Sequence, residues 1–419
     1  MKRNFLIFII FLFTILDFST VAFCLTRNNV SQQLKYVGNP YSAIQKYKKN
    51  IYARNIWDMI AFQGKLYLGA GNSSNMGPSP NAGPVPIISY TPETNSFETV
   101  FTTSEEQIDV FYIFDNKLYI PGHDPREGWE FGNLYLSEDG WQWQKKRTIP
   151  KAIHTYCLCF FKGKLFAGLG TGKAAAIAVS ENLGDSWDLS LFKRAGRFNQ
   201  FLVVDNRLYA VGTLFPLEFI KSFEAENNYS LTQVVEYLDS SHFVTRDDLT
   251  SEQLFPDTTL DKKQLRFYTI IRPQNIAQKS IYIGSYQHND HQAIPFGLYL
   301  TDSLSKNTTS VRRIPLPDNA VPWDTYKSGN DVYVLINRPI GQKMEVAVLR
   351  STDLEHWEEL FYFESPLLVR SFALLQGAFY FSLGSEIENP WQWKADELKE
   401  QTGDIIKILF SAGPNSRVK

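Results

Sequence analysis

The sequence predicts an all-β fold made of seven copies of one four-stranded antiparallel unit. Three observations predict it. A short pattern recurs seven times, in which a turn, usually with Gly or Asn, is followed by two residues and an aromatic. The stretches flanking each copy are apolar and lack a 3.6-residue period, so they read as strands rather than helices. Composition agrees: 15% of the 419 residues are aromatic, chiefly Phe and Tyr, which favour strands. Hydrophobic residues at 44% and charged residues at 21% are the mark of a globular chain with ample core.

The clearest copies are Gly64-Lys65-Leu66-Tyr67, Asn116-Lys117-Leu118-Tyr119, Gly163-Lys164-Leu165-Phe166 and Asn206-Arg207-Leu208-Tyr209. Weaker ones are Lys279-Ser280-Ile281-Tyr282, Asn330-Asp331-Val332-Tyr333 and Gly377-Ala378-Phe379-Tyr380. The aromatics are spaced by 52, 47, 43, 73, 51 and 47 residues. A two-residue turn between apolar runs signals a β-hairpin. Two further strands complete each unit, as in Ile177 to Ser180 and Trp187 to Phe192. Four strands in about 45 residues, repeated, describe a propeller blade. The sequence therefore predicts a seven-bladed β-propeller over residues 55–411.

In chain order, Lys2 and Arg3 precede an apolar run from Phe5 to Leu16, ended by Asp17. Its 12 residues fall short of the roughly 20 that a membrane-spanning helix needs. Residues 1–24 read as a signal peptide, which implies a secreted or periplasmic chain with no integral membrane segment after cleavage. Residues 25–54 form an N-terminal segment, and Leu34 to Gly38 offers a strand to the last unit, which is one strand short. The 73-residue step marks an insertion at 214–241. There Ser230 precedes Leu231, Val234, Val235 and Leu238, a capped i, i+3, i+4, i+7 pattern that predicts a short helix. Residues 412–419 are a polar tail.

Several units carry Ser, Asp or Asn, and Trp between their third and fourth strands: Ser180, Asn182, Gly184 and Trp187; Ser137, Asp139, Gly140 and Trp143; Ser351, Asp353 and Trp357. This resembles the Asp-box (BNR) repeat, Ser-x-Asp-x-Gly-x-x-Trp, of sialidase-like propellers. The first copy has the full spacing with Asn for Asp, the other two are one residue shorter, and the third lacks the Gly. Thr245-Arg246-Asp247 resembles a fourth, degenerate copy. The resemblance implies a turn held by side-chain oxygens and a Trp packed between sheets. It implies the fold and not the sialidase chemistry, because Arg313-Ile314-Pro315 falls in the fifth unit, away from that family's place for Arg-Ile-Pro.

The balance of 42 Lys+Arg against 44 Asp+Glu, net -2, argues against nucleic acid as a partner. Cys157 and Cys159 lie two apart in an apolar run, where a bridge is geometrically poor, so no disulfide framework is expected. No nucleophile elbow, phosphate loop, zinc helix or calcium loop appears. The chain is expected to act as a monomer without a cofactor.

Strand direction assigns the functional face. The start of each first strand and the end of each second strand share one face, where the connections are long. First-strand starts bring Trp57, Asp58, Asp109, His154, Asn199, Arg266, Trp323, Asp324 and Arg370 there; second-strand ends bring Asn72, His123, Asp124, His288, Asn337 and Arg338. Such a set points to cleavage of an extracellular carbohydrate, by a lyase or a glycoside hydrolase. Trp57, Trp129 and Trp323 would stack on sugar rings. His123 and His154 would serve as acid and base. Arg266, with Arg370 or Arg338, would neutralise a sugar carboxylate. Asp58, Asp109, Asp124 and Asp324 would serve a two-carboxylate glycosidase instead. The site resembles, in residue type and placement, the His/Arg sites of some propeller polysaccharide lyases. The alternative is a propeller that binds a glycan or protein without chemistry, using the aromatics with Asn72, Asn199 and Asn337. A third arrangement is a divalent metal held by His123, Asp124 and His154.

Overall fold

A computed structural model describes residues 27–73, 81–172, 174–192, 196–214, 231–239, 242–258, 265–288, 293–386 and 398–410. The predicted signal peptide and polar tail lie outside them. The described strands form seven antiparallel four-stranded sheets, each built from consecutive strands except the last. The innermost strands of blades 1 to 7 are Asp58–Phe62, Tyr112–Phe114, His154–Phe161, Gly196–Val204, Leu265–Ile276, Val321–Ser328 and Leu368–Leu375. Blade 7 takes its outer strand, Lys35–Gly38, from the N-terminal segment, which pairs with Ile405–Leu409 and closes the ring. Upstream, Arg27 reaches Glu345 and Glu359 of blade 6 at 2.8 and 2.7 Å, and Val30 N–H bonds the Tyr362 carbonyl at 2.9 Å.

The recurrent turn is what the sequence pattern requires. Asp115-Asn116, Asp205-Asn206 and Gln63-Gly64 each place two successive residues at positive φ, the geometry that matches the strand twist. The aromatic that follows is the anchor of every blade. Tyr67, Tyr119, Phe166, Tyr209, Tyr282, Tyr333 and Tyr380 are all 3% exposed or less. They join neighbouring sheets through edge-on or tilted ring pairs, such as Phe166 with Tyr237 at 4.8 Å and Tyr333 with Phe379 at 5.3 Å. Each pair adds about 0.5–1.5 kcal/mol beyond its buried area. The small residues ending the second strands permit close inter-blade packing. A Cβ on Gly168 of blade 3 would stand 2.7 Å from the Phe198 carbonyl oxygen of blade 4.

One expectation is overturned. Leu231–Asp239 is the third strand of blade 4, not a helix, with Val235 opposite Ala210 and Val234 opposite Val211. Val234 packs with Tyr209 and Tyr282, while Val235 packs in a separate cluster with Phe166 and Phe201. A strand buried on both faces has no polar stripe, so its apolar positions fit a helical template by accident. Paired β-branched valines and an unmatched second strand decide for the sheet. Residues 215–230 lie outside the described ones. The two α-helices among the described residues are single turns elsewhere, Gln45–Lys48 and Ser251–Leu254. None is long and apolar enough to cross a membrane.

The Ser/Asp turns are held by their side chains. Asp139 Oδ1 accepts the Trp141 and Gln142 N–H groups at 2.8 and 2.7 Å, and Asp353 Oδ1 accepts those of Glu355 and His356, both at 2.8 Å. Asn182 Oδ1 accepts Ser186 N–H at 2.9 Å. Trp143 closes its turn by donating to the Gly140 carbonyl at 3.1 Å.

Candidate active site at the axial ring

Five innermost strands, those of blades 3 to 7, carry a register shift near their start, in blade 5 at Arg266. The inserted residue is Tyr156 in blade 3, Asn199 in blade 4, Trp323 in blade 6 and Arg370 in blade 7. A bulge of this kind leaves one residue unpaired and re-aims its side chain. Each stands five residues before the end of its strand, as do Trp57 in blade 1 and Asp109 in blade 2. These six positions form a ring about the axis. Blade 5 differs: its strand is 12 residues long, with shifts at Arg266 and across Arg272 and Pro273. The Arg266 side chain lies outside the described residues.

On the side of blades 2 to 4 the ring is chemically equipped. His123 Nδ1 lies 2.6 Å from Asp109 Oδ2. His154 Nδ1 lies 3.0 Å from the His123 carbonyl oxygen and 3.4 Å from Asp124 Oδ1. A carbonyl oxygen only accepts, so His154 carries its proton on Nδ1 and presents an unprotonated Nε2. His123 likewise commits Nδ1 to a carboxylate and presents Nε2. The imidazole centroids are 6.4 Å apart, and Tyr156 contacts both, edge-on to His123 at 5.3 Å and stacked on His154 at 5.4 Å. The Arg197 guanidinium lies 5.5 Å from the centre of the Tyr156 ring. Asn199 Oδ1 is buried without a hydrogen-bond partner among the described residues.

These environments separate the two histidines. Burial disfavours charge on His123, but Asp109, with Asp124 and Glu105, outweighs it and raises the His123 pKa. Asp109 is pushed up by burial, outweighed by His123, and held below the usual carboxylate range. His154 is pushed down to about 3 by burial, then by His123 and Arg197. Burial lifts Tyr156 to about 12. The loop bearing His123 is fixed by Glu105, which is fully buried. Its oxygens accept Asp124 N–H at 3.0 Å, Asn133 Nδ2 at 2.7 Å and the Tyr135 hydroxyl at 2.9 Å.

On the side of blades 6, 7 and 1 the ring is occupied by structural bonds. Arg370 lies 4.2 Å over Trp57 and 5.4 Å from Trp323, and donates to Asn55, the Ser385 carbonyl and Glu386. Asp324 is 2% exposed, and its oxygens take Thr325 and Phe372 N–H groups at 2.8 and 3.2 Å. Asp58 does the same with Met59 and Phe111 at 2.9 and 2.6 Å, stapling blade 1 to blade 2. Asn337 clamps the Val369 main chain from both amide atoms. Arg338 pairs with Glu345 at 2.6 Å. Asn72 is buried, its N–H bonded to the Glu106 carbonyl at 3.0 Å. Trp129 is 62% exposed on the connection following the second strand of blade 2.

The sequence put these residues on one face and His123 near His154; the structure groups Asp109 with the two histidines, and Trp57 and Trp323 with Arg370. It missed Tyr156, Arg197, Arg272 and Glu105. Aligning the innermost strands by their ends would have exposed Tyr156, since it takes the position of Trp57, Asp109 and Asn199. Among the described residues, no group of three or more His, Cys, Asp or Glu could hold a metal ion.

No family model matches the chain, and no curated protein does. Solved structures do. The WD40 domain of Pan2 from Neurospora crassa shares 9% identity at a TM-score of 0.51, covering 90% of this chain and 96% of that one. YCF48 from Cyanidioschyzon merolae shares 13% at 0.46, covering 90% and 98%. Virginiamycin B lyase from Staphylococcus aureus shares 9% at 0.44, covering 90% and 99%. At such identities the likeness extends to the propeller fold alone.

Proposed function

We propose that this chain is an exported enzyme that cleaves an acidic polysaccharide by β-elimination at the His123–His154 site. One observation carries the reading: two imidazoles on neighbouring blades, both anchored through Nδ1, are driven toward opposite protonation states around Tyr156. Pairs of titratable groups pushed apart in this way divide into acid and base. Neutral His154 takes the proton α to a uronate carboxylate through Nε2. Charged His123 delivers a proton to the departing glycosidic oxygen. The C–H and C–O bonds break and a C=C bond forms between the two carbons, so no water is consumed. Arg197 faces the substrate carboxylate. An incoming carboxylate also raises the proton affinity of His154, so the base strengthens only once substrate is bound. Trp129 offers a sugar platform at the rim.

The test uses the chain from about Leu25 onward with neutral and uronate-rich polysaccharides. Ultraviolet absorbance of unsaturated ends and reducing ends should rise together. Alanine at His123 or His154 should remove both signals with little change in binding. Reducing ends without unsaturation would move the chemistry to a hydrolase using the aspartates. Retention on a glycan array with no product would leave a binding propeller.

A further inference from the structure

The least economical feature of the ring lies in blade 5. Its innermost strand is extended, and a second bulge delivers Arg272 into the axial channel at φ +51°. That backbone region is costly for a side-chain-bearing residue. The guanidinium reaches three other blades. Nη1 meets Asp58 Oδ1 at 3.0 Å and Nε meets Asp324 Oδ1 at 3.3 Å. Nη2 donates to the carbonyl oxygens of Trp57 at 2.5 Å and Asp109 at 3.1 Å. The Arg272 carbonyl is itself held by the Thr325 hydroxyl at 2.7 Å.

Stability does not explain this arrangement. Asp58 and Asp324 already staple neighbouring blades through main-chain N–H groups. A buried guanidinium with two carboxylates gains little over an apolar plug of the same volume. What an apolar plug could not do is hold two ring-position carbonyls at fixed points. One of them belongs to Asp109, whose carboxylate sits 2.6 Å from His123 Nδ1.

We propose that Arg272 is a positioning residue: anchored by Asp58 and Asp324, it fixes the Asp109 main chain and so aims the Asp109 carboxylate at His123. The inference rests on His123 as a working group, but its test does not need turnover. The groups acting on His123 are Asp109, Asp124, Glu105, Glu106 and His154, with Tyr156 against its ring. Those acting on Arg272 are Asp58, Asp324, Asp109, Tyr112 and Arg370.

Arg272→Lys keeps the positive charge and loses the planar fork, which separates aim from Coulomb attraction. In the folded variant the His123 imidazole, followed by NMR titration, should lose at least about half a pKa unit toward the ordinary value. Asp109→Asn should lower it further and should make the Arg272 substitution silent. An unchanged or raised His123 midpoint in folded Arg272→Lys overturns the proposal. Should that variant fail to fold, Thr325→Val decides. It removes only the hydroxyl holding the Arg272 carbonyl, and should lower the midpoint by a smaller amount. A folded Thr325→Val chain with an unchanged midpoint overturns the proposal equally. A native protein inert toward every polysaccharide would count against β-elimination and leave this titration intact.

Discussion

Asp109→Asn is the sharpest perturbation of the proposed chemistry. It keeps the side-chain shape and removes the charge that holds His123 Nδ1 at 2.6 Å. The two side chains are 20% and 28% exposed, so an effective dielectric near 20 applies rather than that of a dry interior. Charge centres about 4 Å apart then attract by about 4 kcal/mol, equivalent to roughly 3 pKa units. The native site sets this against burial, which pulls His123 the other way. With the carboxylate gone, only Asp124 and Glu105 still oppose burial, and the His123 midpoint should fall by about 1–3 units. Two consequences follow. His123 would hold its proton less tightly, so turnover should drop by about 10²–10⁴-fold, the span for loss of a general acid or its orienting carboxylate. The alkaline limb of the pH–rate profile should move to lower pH by the same 1–3 units. The assay is unsaturated-end absorbance across the pH range, beside the His123 titration in the same variant. An alkaline limb that stays in place while the His123 midpoint falls would show that His123 is not the proton donor. Stability carries a second signature. The raised His123 stabilises the fold below its unfolded pKa and loses that contribution as pH rises through the folded value. The depressed Asp109 contributes above its unfolded pKa and loses it as pH falls through its folded value. The pair therefore stabilises between these limits, and Asp109→Asn should cost most in that interval.

Arg197→Ala should raise KM for a uronate polymer by about tenfold or more, as expected when a charge-assisted contact is lost, and leave neutral-glycan binding unchanged; an equal effect on both would remove it from the carboxylate. Burial lifts Glu105 to about 7 from an ordinary 4.5, so folding stability should decline between those two pH values by about 3 kcal/mol. Glu105→Gln should flatten that decline in denaturant titrations, and a slope identical to the native one would place the titration elsewhere. Phe166→Ala removes a fully buried ring wedged against Tyr237 and Phe201, and should cost about 3–5 kcal/mol in urea unfolding, with His123 chemistry intact in whatever remains folded.

The blade count was legible because the hairpin turn and its aromatic do a local job in each repeat. A two-residue turn needs residues tolerant of positive φ, and the following aromatic fills the gap between sheets. Both leave marks at fixed spacing. The closing strand Lys35–Gly38 was legible for a different reason, since a missing edge must be covered by some other segment. The strand at 231–239 was misread because burial on both faces erases the alternation that separates strand from helix. Arg272 was hidden more deeply. Its role depends on a register shift inside a strand, and a single sequence carries no signal that a bulge will turn Arg272 inward.

The ring explains why so many polar residues at one face do unequal work. Its six positions are equivalent in register but not in use. At Trp57, Trp323 and Arg370, guanidinium and indole rings satisfy one another, and the adjacent Asp58 and Asp324 fasten blades together. At Asp109 and Tyr156, the side chains meet a loop that Glu105 pins through the Asp124 N–H. That loop supplies His123 and Asp124 from outside the repeat. Arg272 crosses from the fifth blade and ties the two halves, bonding carboxylates in the first half and the Asp109 carbonyl in the second. Rigidity on one side is thereby passed to the groups that must be aimed on the other. Composition foretells a polar channel; only register tells which arc is scaffold and which is chemistry.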